Sequence, residues 1–117
     1  MKKLRNFIMY LEDIQLSMNR IAEYIEGYNF TKFKQDYKTV DAVIRNFEII
    51  GEASKNLPTE IIHKYPVIPW NEMYYLRNKI SHEYFGIDYE IIWEIATNYL
   101  PENLKEINNI LEQEHLS

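Results

Sequence analysis

The sequence predicts an all-α fold, an antiparallel bundle of four main helices joined by short helical connectors. Three observations predict it. Apolar residues recur every three or four positions over long stretches, no stretch alternates with the period of two that a half-buried strand needs, and only 3 Gly and 4 Pro punctuate 117 residues. A chain of this length fits one domain, 1–117, and can bury about two-thirds of its unfolded surface without staples.

The first helix is predicted from about Leu4 to Ile25. Leu4, Phe7, Leu11, Ile14, Met18, Ile21 and Ile25 form one stripe, and Gly27 supplies the left-handed residue that ends it. Thr31 is the expected cap of a short turn over Lys32–Asp36. A second long helix is predicted from about Thr39 to Asn56, with Val40, Val43, Phe47, Ile50 and Ser54 inward and Ile44 and Ala53 broadening that side. Leu57-Pro58 stops it, because proline disfavours helix in the residue before it.

A short helix over Thr59–Tyr65 follows, then a stiff extended stretch, Pro66-Val67-Ile68-Pro69. A third helix is predicted from Trp70 to Ser81 or His82, burying Trp70, Met73, Leu76 and Ile80. Gly86 breaks the chain again and Asp88 caps the last helix, whose stripe is Ile91, Ile92, Ile95, Tyr99, Leu104, Ile107 and Leu111. Pro101 should kink or split that helix, and the polar tail Glu112–Ser117 is expected to fray.

Composition excludes several functions. With no cysteine there is no disulfide or thiolate zinc site. Glycines stand only at 27, 51 and 86, so neither a phosphate-cradling loop nor a dinucleotide fingerprint exists. The serines lack the context of a nucleophile elbow, and the three histidines lack ligand spacing. His63 and His115 are expected at the surface, and Trp70 and Trp93 as core anchors. No run reaches the ~20 apolar residues of a membrane span. The basic start Met1–Arg5 is followed by Tyr10, Glu12 and Asp13 rather than an export signal's apolar stretch, so the cytoplasm is expected. A net charge of −5 argues against a broad duplex-DNA face but leaves room for a local cationic site.

One cluster holds chemistry: Arg77-Asn78-Lys79-Ile80-Ser81-His82-Glu83-Tyr84-Phe85. Asn78 and His82, four apart, share a helix face, so the amide can orient the imidazole. Arg77 lies roughly 140° from His82 around an ideal helix. The two meet on one target if the helix loosens near His82, or if two chains each lend one Arg and one His to a shared cleft. Such a pair of sites suits RNA cleavage. One imidazole takes the ribose 2′-OH proton, another protonates the leaving 5′-oxygen, and arginine holds the phosphate oxygens. No metal is required, the products are a 2′,3′-cyclic phosphate and a 5′-hydroxyl, and DNA is inert. An Arg and a His also suit a helix C-terminus through its dipole alone.

The chain resembles HEPN domains of the HepT-like family. Arg77-x4-His82 matches their Arg-x(4–6)-His motif. The segment Val43–Ala53, then Ile68-Pro69-Trp70, Leu76-Arg77-Asn78, His82–Asp88 and Ile92-Trp93 follow the family in order over nearly the whole chain. The resemblance implies a HEPN-like domain acting as the toxin of a type VII-like toxin–antitoxin pair. It implies a homodimeric, metal-independent endoribonuclease acting on tRNA or mRNA, with Arg77 and His82 catalytic at the dimer cleft. Asn78, Ser81, Arg45 and Glu48 would support them, Arg45 and Glu48 also being spaced to pair with each other. The implied partner is an MNT-type nucleotidyltransferase antitoxin that uses ATP to place AMP on Tyr84, while the chain itself holds no cofactor. The alternative is a non-catalytic helical subunit that binds a nucleotidyltransferase or its substrate. Tyr74-Tyr75 depart from the small residues more usual before Leu76-Arg77, which bears on substrate preference.

Overall fold

The computed structural model describes residues 2–73 and 88–116. Those residues are helical throughout their regular structure and contain no strand. The fold is all-α, as the spacing predicts.

Helix α1 (Lys2–Ile25) buries Phe7, Leu11, Ile14, Met18 and Ile21, the stripe read from the sequence. It ends at Gly27, whose φ of +78° is the left-handed conformation that costs a Cβ-free residue little. Helix α3 (Tyr37–Lys55) lies along α1 in the most extensive interface among the described residues. It buries Val40, Val43, Ile44, Phe47, Ile50, Ala53 and Ser54. Each fully buried Val, Leu, Ile or Phe of this seam contributes about 1.5–3 kcal/mol relative to exposure. Helix α2 (Phe30–Gln35) bridges the two.

Two helix starts differ from expectation. Asn29, not Thr31, caps α2, its side chain accepting from the Lys32 amide at 2.8 Å, so the helix begins two residues early. Asp36 caps α3 by accepting from the Thr39 amide at 3.3 Å, which brings Tyr37 and Lys38 into the helix. In both cases an Asx side chain outcompetes the threonine.

Helix α4 (Thr59–Lys64) follows Pro58. The Pro66–Pro69 stretch is a turn, not an extended strap: the Ile68 amide reaches back to the Tyr65 carbonyl at 3.3 Å and buries Ile68. A helix then begins at 70 and is described through 73. Its predicted end at Ser81 or His82, the inward positions Leu76 and Ile80, and the Gly86 break lie outside the described residues.

The last helix is split as Pro101 demands. Helix α5 (Tyr89–Glu94) passes into a π-helical turn, Ile95–Tyr99, and then into α6 (Leu100–Leu116). Proline lacks an N–H and crowds the carbonyl four residues back. The wider turn relieves both, with the Leu100 amide donating to the Ile95 carbonyl five residues earlier. This corrects the predicted stripe: Ile92, Ala96 and Leu100 are buried, whereas Ile91 and Tyr99 are exposed. Ile107 and Leu111 are buried as expected, joined by Ile110.

The tail is also corrected. Instead of fraying, α6 continues to Leu116. Glu114 accepts hydrogen bonds from Lys64 Nζ at 2.9 Å and from the Tyr65 hydroxyl, tying α6 to the end of α4. Its side chain retains only 6% exposure.

Candidate active site

The predicted catalytic segment is held at both ends. On its N-terminal side Trp70 is buried, and its indole Nε1 donates to the Tyr65 carbonyl at 3.0 Å. The Met73 amide donates to the Pro69 carbonyl at 3.0 Å, which opens the new helix. Met73 is buried, and its sulfur accepts from the buried Ser54 hydroxyl of α3 at 3.6 Å. On the C-terminal side Asp88 caps α5 by accepting from the Glu90 amide at 2.9 Å. Ile92 is buried, and the Trp93 ring packs 5.1 Å from that of Phe33 on α2. Trp70 and Trp93 are thus anchors, as expected.

Arg77, Asn78, Ser81, His82 and Tyr84 themselves lie outside the described residues, as do Tyr74 and Tyr75. The two supporting residues on α3 are described. Arg45 Nη1 lies 3.9 Å from Glu48 Oε2, the expected i,i+3 pair. Arg45 is 70% exposed, so the pair contributes at most a few tenths of a kcal/mol and leaves both side chains free to turn. Together with Tyr10 and Asp13 of α1, Glu52 of α3 and Asn56, which caps the end of α3, they line an open cleft of about 310 Å³. His63 and His115 are exposed, as expected.

Asn46 lies one position past Arg45, in the same group of polar residues on α3 that could line the cleft. It is buried, and its Nδ2 donates to the Ala42 carbonyl at 2.8 Å. Its Oδ1 is buried with no partner among the described residues. Leaving such an acceptor unmet costs about 1–3 kcal/mol, which marks the position as more than packing. The sequence held the signal: an amide inside the apolar arc of Val43, Phe47 and Ile50.

The family model described as ribonuclease HepT-like matches residues 14–110, a range that takes in both Arg77 and His82. The chain belongs to the HepT-like ribonuclease family. Curated relatives agree. A protein of Methanocaldococcus jannaschii named as an RNase is 48% identical over 103 residues, covering 88% of this chain and 85% of its own. One of Caldanaerobacter subterraneus, also named as an RNase, is 42% identical and covers 90% and 94%. One of Thermococcus cleftensis, named as a ribonuclease HepT, is 45% identical and covers 79% and 84%. No solved structure gives a significant match. The reading of this chain as a HepT-like HEPN endoribonuclease stands on that membership. No helix among the described residues is long and apolar enough to cross a membrane.

Proposed function

We propose that the chain is the toxin of a type VII-like toxin–antitoxin pair, a homodimeric endoribonuclease that needs no metal. Membership in the HepT-like ribonuclease family carries the reading, because the matched range contains the Arg77-x4-His82 motif. The chemistry is proton transfer. One His82 takes the proton from a ribose 2′-OH, and the 2′-oxygen attacks the adjacent phosphorus. The bond to the 5′-oxygen breaks as the partner's His82 protonates the leaving oxygen. An imidazole is suited to both roles because it can give or take a proton close to neutral pH. Arg77 accompanies the charge that gathers on the phosphoryl oxygens. Asn78 and Ser81 would orient the imidazole, and Arg45 and Glu48 would line the approach from α3.

Control would come from a nucleotidyltransferase antitoxin. The Tyr84 hydroxyl oxygen would attack the α-phosphorus of ATP and release pyrophosphate, leaving AMP two residues from His82. The added bulk and negative charge would exclude RNA.

The test is incubation of the protein with tRNA in EDTA. Fragments ending in 2′,3′-cyclic phosphate are expected, with His82→Ala and Arg77→Ala each lowering the rate by about 10²–10⁴-fold while the protein stays folded. Intact RNA would favour the non-catalytic subunit instead. Mass spectrometry after incubation with an MNT-type nucleotidyltransferase and ATP should find AMP on Tyr84. An unmodified Tyr84 removes that step.

A further inference from the structure

The chain carries a net charge of −5, yet residues 28–38 run against that balance. Lys32, Lys34 and Lys38 are all exposed. Asp36 is the sole carboxylate between Gly27 and Val40. It is engaged by the bundle: Oδ2 accepts from the Tyr28 hydroxyl at 2.7 Å and the Thr39 hydroxyl at 2.8 Å, and Oδ1 accepts from the Thr39 amide. Those bonds, the one from Tyr28 foremost, hold its carboxyl below the usual range. None of the three lysines forms an ion pair among the described residues.

Aromatic rings are interleaved with the lysines. Lys32 Nζ sits 4.2 Å from the centre of the Tyr28 ring, and Lys34 Nζ 5.5 Å from that of Phe30. Both ammonium groups are steered by the rings beneath them yet remain open to solvent. Tyr37, at the junction of α2 and α3, is 68% exposed, with an uncovered π-face. The platform is rigid from below: Phe33 is fully buried and packs on Trp93 of α5, the element that follows Arg77 and His82 along the chain.

We propose that Lys32, Lys34, Lys38 and Tyr37 form a binding surface for single-stranded RNA. The lysines take backbone phosphates and Tyr37 stacks a base, the combination by which single strands are held without sequence preference. The inference rests on the ribonuclease reading. On a chain of net charge −5, substrate has to be gathered locally, and among residues 28–38 positive charge lies beside an exposed ring.

The test uses a fluorescein-labelled 2′-O-methyl RNA, which cannot be cut, so binding is read apart from activity. Titrated across a salt series by anisotropy, the Lys32→Gln/Lys34→Gln/Lys38→Gln variant should bind at least 10-fold more weakly. Its log–log salt slope should be shallower by about 2, at ~0.7 per phosphate contact on a single strand. Tyr37→Ala should lose about 5-fold or more with the slope unchanged. A triple Lys→Arg variant should bind like the unaltered protein, and all variants should keep its melting temperature. Equal affinity and slope for the glutamine variant would overturn the inference and leave the lysines to an acidic protein partner. If His82→Ala binds normally and the unaltered protein cuts nothing, the ribonuclease reading fails while the surface stands.

Discussion

Lysines at two places in this bundle meet opposite fates. Where α4 meets α6, Lys64 donates to Glu114, a carboxylate almost withdrawn from solvent and shared with the Tyr65 hydroxyl. At α2 the nearby carboxylate, Asp36, is taken up by Tyr28 and Thr39, and among the described residues Lys32, Lys34 and Lys38 form no ion pair. Charge of the same sign thus closes the fold in one place and faces outward in the other. The difference lies in which neighbour claims the carboxylate, not in the lysine.

The sharpest way to break the contrast is Tyr65→Ala. It removes a half-buried ring and a donor to Glu114, and should destabilise the protein by about 2–4 kcal/mol in urea unfolding. Binding of RNA should not change. Glu114→Ala comes next, at about 1–3 kcal/mol, because it leaves the Tyr65 hydroxyl and Lys64 without their acceptor. Lys64→Ala should cost less than either, since the lysine is more than half exposed and water replaces its bond.

Acid should separate the two regions further. Partial burial works to raise the Glu114 carboxyl, but the bonds from Tyr65 and Lys64 outweigh it and hold it below its ordinary 4.5. Asp36 is held below 3.8, chiefly by Tyr28. A carboxyl depressed in the folded state stabilises above its unfolded value, and that contribution disappears as pH falls through the folded value. Stability should therefore decline from about pH 5 downward, and Glu114→Gln should flatten the upper part of that decline. An unaltered profile in Glu114→Gln would sever Glu114 from acid sensitivity.

What the sequence disclosed follows the same division between local and distant causes. The stripe Phe7–Ile21 was legible because an uninterrupted helix keeps its phase. Tyr99 was misplaced because the π turn before Pro101 adds a residue to one turn, and spacing read at a constant period cannot register the slip, whereas Ile91 precedes that turn and faces outward beside the buried Ile92. The Glu114 clamp joins residues about fifty positions apart, beyond any local pattern. At the candidate site, residue type and spacing singled out Arg77 and His82, and the Arg45–Glu48 pair followed from i,i+3 geometry. The unmet acceptor of Asn46 was not legible, since it is a property of the residue's surroundings and not of its type or spacing.

The proposed cleavage uses an imidazole and a guanidinium of this chain and no metal. The direct measurement is end-group analysis of tRNA after incubation in EDTA with the unaltered protein and with His82→Ala. The first should leave 2′,3′-cyclic phosphate and 5′-hydroxyl ends, and the second should leave the RNA intact. Equal cleavage by both, or ends bearing a 3′-hydroxyl, would contradict the proposal.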